Sequence, residues 1–166
     1  VAPIEDKYHW ARTAIQLSFT IFLFFETWLV PLEGWGVDKF GPRPVIIFGA
    51  ILSTIGWIIC SKASSLGVLY FAQILTGAGA GAVYGTCSGN SLKWFPDKRG
   101  LAAGATAAGF GAGAAVTVIP VANMINTSGY EQAFFVFGII QGCIITACAL
   151  FMPRAKLPPG TKAIPK

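Results

Sequence analysis

Long, nearly uncharged stretches alternate with short polar connections along this sequence. Each stretch contains close to, or more than, the roughly 20 residues that an α-helix needs to cross a bilayer. We predict one transmembrane helix for each stretch, at residues 13–35, 44–61, 66–92, 101–125 and 133–152. Proline cannot donate a backbone hydrogen bond, so Pro31 is expected to bend the last turns of the first span.

The charged residues gather in the connections, and their distribution predicts the orientation of the chain. Nine of the twelve Lys and Arg residues fall on one side of the predicted spans. Short loops rich in these residues face the cytoplasm. We therefore expect residues 1–12 to be an external lead-in, residues 13–152 a transmembrane bundle and residues 153–166 a basic cytoplasmic linker. The chain would then be a multi-pass protein of the inner, cytoplasmic membrane.

Five spans with an external start predict more chain than these residues provide. The sequence opens at Val1 without a targeting signal. Groups of three helices related by inverted topology are a common plan in secondary transporters. We therefore expect one further helix before Val1, completing a six-helix bundle, and a second bundle after the linker.

Composition supports a membrane protein and argues against several other classes. Hydrophobic residues make up 54% of the chain and charged residues 11%, and the mean hydropathy is +0.64. The net charge of +5 is divided among separate loops, which argues against nucleic-acid binding. Cys60, Cys87, Cys143 and Cys148 form no CxxC pair and no metal-ligand spacing with His9, so we predict buried free thiols and no metal or cofactor. We find no nucleophile–base pair in the sequence that would indicate an enzyme.

Glycines recur at fixed spacing in the third and fourth predicted spans. Every fourth residue from 77 to 89 is glycine, which forms one stripe on a helix where a neighbouring backbone can approach closely. Each glycine costs about 1 kcal/mol relative to alanine in a soluble helix, so close packing must offset this cost. The predicted packing positions are Gly77, Gly81, Gly85, Gly89, Gly109 and Gly113. Backbone lining a cavity, or a fourth span softened for bending by its glycines and Pro120, are the alternatives.

The connection after the first span has the pattern Gly-x-x-x-Asp-Lys-x-Gly-x-Arg, which we predict to be a tight turn over residues 34–44. Gly41 permits the reversal, and Asp38 can accept hydrogen bonds from helix N-terminal amides. Lys39 and Arg43 can hold carboxylates or helix C-termini. An ordinary basic cytoplasmic loop is the alternative interpretation.

This turn resembles the signature between helices two and three of the major facilitator superfamily. The run from Lys93 to Gly111, KWFPDKRGLAAGATAAGFG, resembles one branch of that superfamily, the oxalate/formate antiporters. The preceding Val83-Tyr84-Gly85 agrees with the same branch. The resemblance implies an all-α membrane fold in which the chain supplies helices two to six of an N-terminal six-helix bundle.

The resemblance also implies a mechanism and a set of site residues. Two six-helix bundles would rock about a central site, and the signature turn would help to latch the cytoplasmic face closed. Asp38 would cap a helix of the second bundle, while Lys39 and Arg43 would make switchable ion pairs. The implied latch residues are Gly34, Asp38, Lys39, Gly41, Arg43 and Arg99.

Tyr84 and Phe110 match aromatic cavity positions of the family, whose anion-binding cations lie in the second bundle. The implied function is exchange of small carboxylates such as oxalate and formate, without a cofactor. A symporter of monocarboxylates or other organic anions, and a membrane bundle that transports nothing, are the alternatives.

Glu26 lies deep inside the first predicted span. A charged side chain there costs about 2.5–3.5 kcal/mol on insertion scales, so Glu26 must face a partner or water, or carry a proton. It is either a cavity-facing or proton-sensing group or a structural hydrogen-bonding group. Trp28 is assigned to the cavity with Glu26, whereas Glu33 is assigned to the cytoplasmic latch.

Overall fold

A computed structural model describes residues 10–152, which form six α-helices. The helices are α1 (Arg12–Trp28), α2 (Val30–Phe40), α3 (Pro42–Ser61), α4 (Leu66–Trp94), α5 (Arg99–Ser128) and α6 (Tyr130–Phe151). A short 3-10 helix, Pro96–Lys98, precedes α5. The predicted linker and all but the last residues of the predicted lead-in lie outside the described residues.

Five crossings of a membrane are consistent with the lengths and composition of these helices. α3, α4, α5 and α6 are each long and apolar enough to span a bilayer, and α1 with α2, a pair bent by 44°, brings the number of spans to five when the pair is counted as one crossing. The described residues contain no β-strand. The all-α membrane fold predicted from the sequence is therefore confirmed.

The reversal between α2 and α3 is shorter than the turn predicted over residues 34–44, which was wrong in its extent. α2 stays helical to Phe40, and Gly41 alone reverses the chain, with φ of 93°. Pro42 and Pro44 lie in the first turn of α3, where a missing N–H costs no helical hydrogen bond. The Gly- and Pro-rich composition thus marks one glycine turn flanked by helix ends.

The bend in the first span lies at Leu29, between α1 and α2. Pro31 stands at the start of α2, where its ring removes a helical donor and crowds the preceding turn. The helix resumes at once, because Glu33 N–H donates to the Leu29 carbonyl at 3.0 Å. The predicted bend is present, and the helix continues for 11 residues beyond it.

Small residues allow α3 to lie close to α4 on one side and α6 on the other. A Cβ added at Gly49 would lie 2.8 Å from the Gly79 carbonyl oxygen, and one at Gly79 would lie 2.6 Å from the Gly49 oxygen. On the other side, a Cβ at Gly138 would lie 2.6 Å from the Trp57 Cβ. Such contacts replace hydrophobic side-chain packing in a bilayer, where lipid is as apolar as leucine.

The four cysteines are free, but they are not all buried as predicted. Cys60 is buried and Cys87 is half-buried, whereas Cys143 and Cys148 are exposed on α6. A membrane helix is apolar on its lipid-facing side as well as its packed side. An apolar run therefore cannot indicate which of its cysteines faces the bundle.

Candidate functional site

An aromatic pair joins α4 to α5. The ring centroids of Tyr84 and Phe110 lie 5.1 Å apart with the planes tilted by 55°. Tyr84 is half-buried and Phe110 is exposed. Both residues were predicted to line the cavity, and the structure brings their rings together as the Tyr84–Phe110 pair.

Most of the other side chains of α5 are exposed within the described part of the chain. Ala102 is its one buried residue there, and Gly109 and Gly113 have open space around them. Near its start, the Thr106 and Ser91 hydroxyl groups lie 3.1 Å apart, in hydrogen-bond contact with α4. The Tyr84–Phe110 pair therefore lies at the point where α5 leaves the described bundle.

The glycine stripe of α4 faces the bent first span over three of its four members. A Cβ at Gly77 would collide with the Phe22 carbonyl oxygen, and one at Gly81 would lie 2.6 Å from the Glu26 carbonyl oxygen. Gly89, at the C-terminal end of the stripe, has nothing within 4 Å among the described residues. A packing role for Gly77, Gly81 and Gly85 fits this geometry, whereas for Gly89, Gly109 and Gly113 it stays a prediction.

Glu33 was predicted to belong to the cytoplasmic latch, but its carboxylate lies against the glycine stripe of α4. Cβ atoms added at Gly81 and Gly85 would lie 2.9 Å from Glu33 Oε1 and 3.2 Å from Oε2, respectively. Oε2 is buried and has no hydrogen-bond partner among the described residues. The missing side chains of two glycines thus make room for a carboxylate from a helix that is distant in the sequence.

Glu26 and Trp28 occupy different surroundings, although the sequence analysis assigned both to the cavity. Glu26 is half-buried, and its backbone carbonyl lies against Gly81. Trp28 is 71% exposed and stacks on Phe24 at 5.5 Å, not on the Tyr84–Phe110 pair. Neither glutamate of this span has a Lys or Arg within 4 Å in the described residues.

An ion pair joins the ends of α2 and α4. Lys93 Nζ lies 2.7 Å from Asp38 Oδ1, with the two side chains 42% and 53% exposed. The resemblance implied that Asp38 caps a helix of a second bundle, and no contact between Asp38 and Lys93 was predicted. The two residues are 55 positions apart, so their sequence positions alone gave no sign of the contact.

The other predicted latch residues make contacts of different kinds. Lys39 Nζ lies over the Trp35 ring, 4.7 Å from its centroid. Arg43 Nε donates to the Met152 carbonyl at 2.6 Å, which ties the start of α3 to the end of α6. Arg99 is exposed and has no partner among the described residues, and Gly34 has open space around it.

Comparison with known proteins agrees with this architecture. Residues 1–166 match the family model of the Major Facilitator Superfamily. The chain therefore belongs to the Major Facilitator Superfamily, and it is a multi-pass membrane protein. The resemblance stated from its motifs is confirmed.

Individual relatives include carriers of organic acids. The chain is 37% identical over 147 residues to the oxalate:formate antiporter of Oxalobacter formigenes, covering 89% of this chain and 35% of that protein. It is 27% identical over 139 residues to a probable sulfoacetate transporter of Cupriavidus necator, covering 83% and 32%. It is 29% identical over 116 residues to human monocarboxylate transporter 11, covering 69% and 25%. The chain thus spans about a third of the length of these relatives or less.

Proposed function

We propose that this chain forms one wall of a secondary transporter that exchanges small carboxylate anions, such as oxalate and formate, by alternating access. The observation that carries the proposal is the Tyr84–Phe110 pair at the junction of α4 and α5. The similarity to an oxalate:formate antiporter supports the substrate class, because that relative matches most of this chain.

The chemistry of the pair suits a flat anion. Aromatic rings carry partial positive charge at their edges, and a tyrosine hydroxyl can donate to a carboxylate oxygen. The Tyr84 hydroxyl has no hydrogen-bond partner among the described residues. The rings would orient the anion, and cations from a second bundle would neutralise it, as the resemblance implies.

Access to the site would be controlled at the cytoplasmic ends of the helices. The Asp38–Lys93 ion pair is exposed, so it can exchange partners at little cost. Lys39, Arg43 and Arg99 would provide further cations for such exchanges with a second bundle. Gly41 would fix the geometry of the turn that carries them.

Transport in proteoliposomes tests this proposal. The full-length protein that contains this chain is reconstituted in vesicles loaded with formate, and uptake of labelled oxalate is followed. We expect uptake that depends on internal formate and is competed by external oxalate. Absence of formate-driven uptake, in vesicles that contain correctly folded protein, would refute the substrate assignment.

A proton-linked symporter of monocarboxylates is the second candidate. Glu26 and Glu33 favour it, since both carboxyl groups lie in a span without a cation within 4 Å in the described residues. Such groups in membrane segments often serve in proton relays. Uptake into empty vesicles that is driven by an inward proton gradient and abolished by a protonophore would favour symport over exchange.

A further inference from the structure

A groove lined by apolar side chains opens between α2 and α3, and neither Tyr84 nor Phe110 lines it. Its volume is about 360 Å³. Leu32 and Trp35 of α2 form one wall, Phe48 and Leu52 of α3 form the other, and α4 supplies the floor. We call this feature the α2–α3 groove.

The groove results from the local sequence of its three helices. The bend of 44° at Leu29 changes the direction of α2 beside α3. Ala78 and Ala82 form a floor of small side chains, and Gly36 contributes no side chain to the wall. Glu33 also borders the groove, but its carboxylate lies against Gly81 and Gly85 of α4. The lining of the groove is therefore almost entirely apolar.

Two cations lie at the end of the groove near the α2–α3 turn. The Lys39 ammonium lies 4.7 Å from the centroid of the Trp35 ring and 5.4 Å from that of Phe40, and both rings line the groove. Arg43 lines an adjoining cavity that shares Phe40 and Pro44 with the groove. Its bond to the Met152 carbonyl uses Nε, so this bond leaves the Nη donors of the guanidinium for an anion.

The neighbouring acidic residue does not cancel this charge. Asp38 is paired with Lys93 at 2.7 Å, and these two residues together with Lys39 and Arg43 still carry a net charge of +2 around the α2–α3 turn. Trp35 is 60% exposed and Phe40 is 61% exposed, as expected for rings at a membrane–water boundary. The mouth is thus basic and aromatic, whereas the interior is apolar.

We propose that the α2–α3 groove binds an anionic phospholipid of the cytoplasmic leaflet. One acyl chain lies between Trp35 and Phe48, and the headgroup phosphate lies between Lys39 and Arg43. Basic pockets between membrane helices on the cytoplasmic side recognise anionic headgroups in this way. The charge at the mouth selects an anionic lipid over a zwitterionic one, and the apolar interior selects a lipid over a free anion.

Fluorescence quenching of Trp35 tests the assignment directly. In the full-length protein, the other four Trp residues of this chain, and any outside it, are replaced by Phe, and the protein is placed in vesicles of phosphatidylcholine. Brominated phosphatidylglycerol or brominated phosphatidylcholine is then titrated. We expect half-maximal quenching at a several-fold lower mole fraction of the anionic lipid. Equal quenching by both would mean that only bulk lipid contacts Trp35, and would overturn the proposal.

Three single variants and one double variant locate the binding energy. A cation near an anionic lipid contributes about 1 kcal/mol, so Lys39→Gln and Arg43→Gln should each reduce the preference about fivefold. Lys62→Gln, at the opposite end of α3, is the matched control and should leave the preference unchanged. A preference that survives in the Lys39→Gln, Arg43→Gln double variant would overturn the headgroup assignment.

A fourth variant tests the acyl-chain part and does not depend on the single-Trp background. Gly36→Leu fills the groove from its wall, and native mass spectrometry then counts bound phosphatidylglycerol. We expect loss of the retained lipid while Lys39 and Arg43 are intact; retention would overturn the groove assignment. Both measurements are independent of transport, so failure of oxalate exchange would leave their outcome unaffected.

Discussion

Gly81 is a position where the backbones of α4 and α1 meet without an intervening side chain. Gly81→Ala would put a methyl group 2.6 Å from the Glu26 carbonyl oxygen and 2.9 Å from Glu33 Oε1. The carbonyl cannot move without moving α1, so we expect a loss of about 1–3 kcal/mol of stability. Thermal unfolding in detergent, followed by size-exclusion chromatography, measures the change as a lower melting temperature.

Gly89→Ala is the matched control on the same helix. Nothing lies within 4 Å of its added Cβ among the described residues. Alanine favours a helix by up to about 1 kcal/mol over glycine, so this variant should melt at the same temperature or slightly higher. Equal losses at both positions would contradict the packing role of Gly81.

Glu33→Gln should preserve or raise the stability of the bundle. The carboxylate oxygen Oε2 is buried without a hydrogen-bond partner in residues 10–152, and no cation compensates its charge there. An amide of the same shape removes the ionisable group without changing the packing volume. Melting temperatures of the wild type and the variant at pH 8, with the exposed Asp97→Asn as control, test this. A clearly lower value for Glu33→Gln alone would indicate a partner outside the described residues.

Phe110→Leu should weaken substrate binding more than folding. Phe110 is 57% exposed and contacts Tyr84, so its removal costs little core packing but opens one side of the proposed site. We expect an increase in the KM for oxalate exchange of about five- to tenfold, equivalent to roughly 1 kcal/mol for a ring contact. Phe71→Leu is the control, because Phe71 is 56% exposed on α4 and lies outside the proposed site. Equal effects of both variants would contradict the assignment.

The candidate site could be predicted from the sequence only where a motif carried it. Tyr84 and Phe110 were found through the resemblance, and the structure joins their rings. Glu33 and Lys93 acquired partners that no local spacing indicates, since each contact joins different helices. Such contacts depend on the crossing of the helices, which a single sequence does not encode at short range.

At the scale of the element, the apolar stretches predicted the helices well but not their ends. The first span continues to Phe40, because Gly34 and Gly36 are accommodated within a helix. α5 continues to Ser128, three residues beyond its predicted end. Glycine and proline interrupt helices in water, but a bilayer offers the backbone no alternative hydrogen-bond partners. Composition alone therefore overestimates the length of the connections.

The bend between α1 and α2 gives a prediction about the shape of the first span. Pro31→Ala restores a backbone donor, so the 44° bend should decrease. With spin labels at Gln16 and Lys39, straightening should lengthen the interlabel distance by roughly 2–3 Å, given a rise of 1.5 Å per residue. Pro120→Ala is the control, since α5 is already one continuous helix through that proline. An unchanged Gln16–Lys39 distance would assign the bend to packing and not to Pro31.

For the whole molecule, the Asp38–Lys93 pair makes a prediction about transport. The reversals Asp38→Lys and Lys93→Asp should each slow exchange up to about fivefold, because an exposed pair contributes at most about 1 kcal/mol. The double variant should recover part of the rate. Lys98→Asp, a charge reversal in the neighbouring 3-10 helix, should have a smaller effect. Additive losses in the double variant would show that the two residues do not act together.

The mutual contact of Gly49 and Gly79 has a mechanical consequence. Where two backbones touch, no flexible side chain remains between them to absorb a sliding motion. α3 and α4 should therefore travel as one stiff unit during any rocking of the protein. Local bending during rocking would then occur at the proline bend of the first span and in the largely exposed α5, while the α3–α4 unit stays rigid.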